Sequence, residues 1–199
     1  MRRFGQILAL LITLSVFGCA PFKSKYLVDK NFKLNKDNLY LLNSRYEVVP
    51  SKVLYKSRSD TIRNDTSLYK SNLLGFLKEI DTVLQNDILY NKAAFSIIFK
   101  VKSQDTISVF LNKNQKIVDS ANLKFKIKKD GYLYFTEKTI KTWGVPGLYG
   151  RVEISRQRLG INENHDLLIE SSYYSYGAVL IIIGDDRKFK ASSLYKEIK

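Results

Sequence analysis

One cysteine and one histidine among 199 residues rule out several chemistries at once. A lone thiol closes no disulfide within the chain, and the one imidazole, His165, has no second histidine with which to share a metal ion. His165 stands beside Asp166 in "GINENHDLLIE", but no Gly-x-Ser-x-Gly elbow supplies the nucleophile of a catalytic triad. "EIDTVLQND" holds Glu79, Asp81 and Asp87 without the spacing or the glycine of a calcium loop. No cofactor, no metal and no catalytic residue is therefore expected, and the chain does not read as an enzyme. Internal repeats and low-complexity segments are missing too. What is plentiful is apolar and aromatic material, 45% and 13% of residues, which suffices for one packed core.

Acid is in short supply relative to base, and the formal charge is +14. Such a balance raises nucleic acid, anionic membrane or acidic glycan as partners. The lysines are spread along the chain and no nucleic-acid-binding motif is present, so nucleic acid is not expected. A solvated basic surface with a general attraction to anionic head groups is the expectation.

The single cysteine has a telling position. Arg2 and Arg3 precede the apolar run "FGQILALLITLSVFG", which is short for a bilayer span and suits a secretory signal. At its end Val16-Phe17-Gly18-Cys19 resembles the bacterial lipobox, in which a small residue precedes the cysteine that becomes the lipidated first residue. Gly18 and Cys19 match that pattern; Val16 stands where leucine is usual and Phe17 where a smaller residue is usual. The resemblance implies cleavage between Gly18 and Cys19 and a lipid anchor on Cys19. Two or three acyl chains hold a protein stably where one does not. Ala20 follows in place of the aspartate that retains enterobacterial lipoproteins at the inner membrane, and no acidic cluster follows it. An outer-membrane anchor with a periplasm-facing domain is therefore expected. Residues 1–18 read as the signal, 19–37 as a lipidated tether and 38–199 as the folded domain.

From Asn38 the dominant period is two. In "LKFKIKKDGYLYFTE", Leu123, Phe125 and Ile127 alternate with Lys124, Lys126 and Lys128, as a half-buried strand requires. Asp130-Gly131 offers a two-residue hairpin turn, which would set Ile127 opposite Tyr134 on the inner side and Lys126 opposite Phe135 on the outer. "FSIIFKVK" places Ile97, Phe99 and Val101 on one face, and "TISVFLN" does the same for Ile107, Val109 and Leu111. "NLYLLNSRYEVV" reads as an opening strand; "YGRVEIS", "DLLIESSYY", "AVLIII" and "SLYKEI" read as later ones, with a turn at Tyr176-Gly177. Seven to nine short strands argue for an all-β antiparallel sandwich or barrel. One stretch departs from this. Leu73, Phe76, Leu77, Ile80 and Leu84 recur at helical spacing and predict one amphipathic helix over 71–84. Trp143, in a Gly- and Pro-punctuated stretch, is expected to plug the core.

The lipobox-like stretch, the opening "LYLLNSRYE" and the closing "YGAVLIIIGDDRKFKASSLYKEI" together resemble uncharacterised outer-membrane lipoproteins of Bacteroidota. Ser44 replaces the glycine those proteins often carry in Leu-Asn-Gly-x-Tyr. The resemblance implies an up-and-down, lipocalin-like barrel, or a strongly bent sheet, of about eight strands with one short helix. It implies no catalytic residue and no known ligand.

Two functions remain. One is a non-catalytic binding module whose barrel holds an apolar or amphipathic ligand, lined by Ile97, Phe99, Val101, Ile107, Val109, Phe125, Ile127 and Tyr134. The other is a lipid-tethered protein that docks on an envelope protein complex.

Overall fold

The computed structural model describes residues 31–56, 62–63, 76–77, 82–135, 139–145, 149–179 and 183–199. Among them are twelve strands: β1 (Asn31–Phe32), β2 (Arg45–Glu47), β3 (Lys52–Lys56), β4 (Ile62–Arg63), β5 (Phe95–Val101), β6 (Thr106–Lys113), β7 (Lys116–Ile127), β8 (Leu133–Phe135), β9 (Thr139–Val145), β10 (Tyr149–Asn162), β11 (Leu167–Val179) and β12 (Ile183–Tyr195). One α-helix, α1, spans Thr82–Tyr90.

The strands form one antiparallel sheet in the order β2-β5-β6-β7-β8-β10-β11-β12-β3-β4, with β1 and β9 added along β10. The sheet is strongly curled, as the alternating sequence predicts. Past β12 the chain returns to the first strand. Glu197 bridges Tyr46, the Glu47 N–H donates to the Lys196 carbonyl at 2.9 Å, and the Ile198 N–H donates to the Arg45 carbonyl at 2.7 Å. The C-terminal residues thus satisfy the free edge of β2, a backbone edge that would otherwise need solvent or another chain.

Consecutive antiparallel strands put their connections at alternate ends. The β5–β6, β7–β8 and β10–β11 turns lie at one end, which also receives the chain at β1, where Asn31 pairs with Asn162. The β6–β7, β9–β10 and β11–β12 connections lie at the other.

The inner face is apolar. Ile97, Phe99, Ile107, Val109, Leu111, Leu133, Leu159, Ile161, Leu167, Ile169 and Tyr195 have no accessible surface and belong to one contiguous cluster. Tyr46 meets Phe99 edge to face, ring centroids 5.9 Å apart, within that cluster. Leu34, Leu39 and Leu42 pack into it as well. The ordered domain therefore begins before the expected boundary at Asn38: β1 pairs with β10, and Leu34 is a core residue.

Four local expectations are corrected. The stretch read as an opening strand is mostly a 3-10 turn, Leu39–Leu42, and only Arg45–Glu47 is strand. The reason is the i, i+3 spacing of Leu39 and Leu42, which puts both into the core on one face of a tight helix. The described helix starts at Thr82 and continues to Tyr90, beyond the expected end at Leu84. Ile88 follows Leu84 by one turn and is fully buried, so tertiary burial extends the helix. Phe76 and Leu77 are buried as expected, whereas residues 71–75 and 78–81 lie outside the described residues. Tyr176-Gly177 is not a turn. β11 runs through it, with Gly177 opposite both Arg151 and Asp185. Trp143 is no core plug, being 50% exposed on β9.

The β7–β8 hairpin exists, but with three loop residues in place of two. The Gly131 N–H donates to the Lys128 carbonyl at 2.9 Å, and the Lys128 N–H donates to the Tyr132 carbonyl at 3.1 Å. Only Gly131 has positive φ, +79°. A type I turn followed by a left-handed glycine is the usual three-residue hairpin loop. It sets Ile127 opposite Leu133, Lys126 opposite Tyr134 and Phe125 opposite Phe135. A register change of one residue moves every side chain of β8 to the other face. Leu133, expected outside, is buried in the core.

Candidate functional site

The residues expected to line an interior divide into three groups. Ile97, Phe99, Ile107, Val109 and Phe125 are buried together in the main cluster. Val101 and Ile127 are partly buried against its margin. Tyr134 is elsewhere: the hairpin register turns it to the outer face, where it packs with Tyr132, Leu168 and Leu194. Gly18 and Cys19 lie outside the described residues.

Tyr134 belongs to a buried polar network. Arg158, from β10, is 2% exposed on the face opposite Leu159 and Ile161. Its guanidinium binds Glu170 of β11, and its Nη1 donates to Asp130 at 3.0 Å and to the Tyr134 hydroxyl oxygen at 2.8 Å. The Tyr134 hydroxyl donates to Asp130 at 2.6 Å, and the Ser192 hydroxyl donates to the second oxygen of Glu170 at 3.1 Å. The ring of Tyr132 covers the guanidinium at 4.0 Å. Gly160 makes room for that ring, since a Cβ there would stand 2.9 Å from it. Burial alone would lower the Arg158 pKa, but the Glu170 charge and the Tyr134 contact hold it above its ordinary value. The Tyr134 phenol is raised, first by burial and then by its hydrogen bond to Asp130. Every charge in the network meets an opposite one, so the arrangement ties the β7–β8 turn to β10 and β11.

This network was not legible in the sequence. Alternation along "SRQRLGIN" marks Arg158 as outward, and outward lysines and arginines are normally wet. Only the fold of the hairpin over β10 covers it.

A second feature lies between β2 and β5, on the outer face at the end where the chain enters. A shallow groove of about 400 Å³ is lined by Asn43, Ser44, Arg45, Ile98, Phe99, Lys100 and Val101. Arg45 stands opposite Ile98, and its Nε donates to the Ser96 hydroxyl at 2.8 Å. The Asn43 amide oxygen accepts the Val101 N–H at 2.7 Å. Ser44 donates to Glu197, whose N–H reaches Asp166 at 3.3 Å. Asp166 is itself held by Asn162, which accepts the Asp166 N–H at 2.8 Å and donates to the Asp166 carboxylate at 3.1 Å. His165 occupies the same β10–β11 turn with φ +65°, its N–H on the Asn162 carbonyl at 3.1 Å, as a turn residue would be.

Among the described residues no group of three or more His, Cys, Asp or Glu could hold a metal ion, and no helix is long and apolar enough to cross a membrane. Compared with family models, with curated proteins and with solved structures, the chain matches none.

Proposed function

We propose that this chain is a lipid-anchored protein of the cell envelope that works through its surface, as a docking module for another envelope protein. The observation that carries this reading is the sealed inner face. Ile97, Ile107 and Val109 have no accessible surface and pack against one another in one contiguous cluster. A barrel holding an apolar ligand would need room against these same side chains. The lipobox-like Val16-Phe17-Gly18-Cys19 supports the anchor, and Ala20 supports placement at the outer membrane, facing the periplasm.

The end away from chain entry supports a protein partner. Tyr90 and Leu89 at the end of α1, Ile117 and Val118 at the start of β7, Trp143 on β9 and Tyr176 on β11 are exposed there. Exposed tyrosine, tryptophan and aliphatic side chains at one end of a domain are the material of interface cores. What supports this reading is a strongly curled antiparallel sheet with an apolar, closely packed inner face.

Native mass spectrometry of the protein purified from its own host tests the reading. The expected mass is the mature chain plus the lipid on Cys19, unchanged by organic extraction. A non-covalent amphiphile lost on extraction would restore the ligand-holding barrel. Cys19→Ser should abolish the lipid adduct and leave the protein out of the membrane fraction or uncleaved, because a hydroxyl is too weak a nucleophile to accept the diacylglyceryl group.

A further inference from the structure

We infer that the groove between β2 and β5 docks on the phosphate-bearing head groups of an anionic lipid bilayer, the one in which the protein is tethered. The inference rests on the lipid-anchored reading for its orientation and on the groove itself for its chemistry.

Two exposed cations, Arg45 and Lys100, line the groove beside the half-buried Ile98. Neither cation makes an ion pair among the described residues; Arg45 is exposed, and the side-chain bond it makes there goes from Nε to the neutral Ser96 hydroxyl. Glu197, beside the groove, accepts from the Ser44 hydroxyl and keeps its charge, but makes no ion pair with either cation. Two unneutralised cations beside apolar surface match an anionic head group with the glycerol and first methylenes behind it. A guanidinium in particular binds phosphate through two parallel N–H bonds.

Orientation follows from chain direction. Asn31 enters opposite Asn162, at the mouth of the β10–β11 turn, and contacts through Asp166, Glu197 and Ser44 lead from that turn to the groove. Eleven residues, hence twelve Cα steps, separate Cys19 from Asn31, a reach of at most ~43 Å when extended. The tether joins the domain at this end, and the Trp143 end lies at the far end of β10, ~43 Å away. Tethering raises the local concentration of head groups, so a weak two-cation site is enough.

The test uses the native lipidated protein, reconstituted into vesicles of phosphatidylglycerol or of phosphatidylcholine and labelled with an amine-reactive reagent. The expected result is labelling of Lys100 at least fivefold lower on phosphatidylglycerol, relieved by high salt, with Lys92 at the opposite end unchanged. Arg45→Gln should weaken the protection about fivefold, the effect of one charge at an anionic surface, and Arg45→Lys should keep it. Equal labelling of Lys100 on the two lipids overturns the inference. So does protection of Lys92 in its place, or equal protection by soluble glycerol phosphate added to phosphatidylcholine vesicles, which would make the site one for a free phosphate ester. Protein that floats with neither vesicle would overturn the anchor, and the docking that depends on it. Protein that floats with both but shows no lipid preference at Lys100 would overturn the groove alone.

Discussion

The guanidinium of Arg158 lies 4.0 Å from the centre of the Tyr132 ring, on the side of the sheet that alternation assigns to solvent. Gly160 leaves room for the Tyr132 ring, which a Cβ there would meet at 2.9 Å, and Leu168 and Leu194 complete the contact. The outer face of β8, β10 and β11 is therefore a second packed layer with an ionic centre. Its stability depends on keeping both partners of each pair.

Removing one partner should cost far more than removing two. Arg158→Met leaves Glu170 buried without its cation and should destabilise by about 3–5 kcal/mol, as should Glu170→Met in reverse. The double variant Arg158→Met with Glu170→Met should lie well above either single one in urea unfolding. If the two single effects simply add, Arg158 and Glu170 are not coupled and the network is incidental.

Gly131 is needed for two reasons that act together. Its φ of +79° suits glycine, and a Cβ there would stand 2.7 Å from the Lys33 Cα, where the Leu34 N–H reaches the Gly131 carbonyl at 3.1 Å. Gly131→Val should lower the melting temperature by about 4–8 °C, from ~2 kcal/mol of strain and displaced contact. The exposed Lys126→Ala should change stability by less than ~0.5 kcal/mol. Similar melting of the two would mean that the turn adapts without strain.

A chain beginning at Asn38 should be measurably weaker than one beginning at Asn31. The shorter chain loses the β1 pairing with β10 and the buried side chain of Leu34. Burying a leucine contributes about 2 kcal/mol, so a deficit of at least that size is expected in denaturant unfolding. Equal midpoints would make residues 31–37 a mere leader to the domain.

Alkaline pH should destabilise the fold through Tyr46. Burial, helped by Glu197 and Asp166, holds its phenol well above the ordinary range. In the unfolded chain the phenol ionises near pH ~10, so above that pH the unfolded state sheds a proton the native state keeps. The contribution is complete below pH ~10 and is lost as pH rises further. Melting temperature followed from pH 8 to 11.5 should fall more steeply for the native protein than for Tyr46→Phe. Parallel curves would assign the alkaline loss to the other tyrosines.

Alternation of period two was enough to predict an antiparallel β domain, because strands such as β7 bury one side and expose lysines on the other. Ile97, Phe99, Ile107, Val109 and Phe125 could be assigned to the core from spacing alone, and they are there. A lone cysteine behind a short apolar run pointed to Cys19 by covalent chemistry, which needs no fold. Register is another matter. Asp130-Gly131 suits a two-residue and a three-residue loop alike, and the choice was made by packing: the longer loop buries Leu133 and brings Tyr134 to Arg158. Leu39 and Leu42 fit a strand or a tight helix until the core beneath them selects the helix. Arg158 reads as wet because burial of an outward residue depends on what folds across it, and a strand's own sequence carries no record of that cover. The groove depends likewise on two strands about fifty residues apart, Arg45 on β2 and Lys100 on β5, brought together only when β2 pairs with β5. Local chemistry sets the period of the strands; which turn forms and which charges end up buried or paired is decided by long-range contacts that only the folded sheet makes.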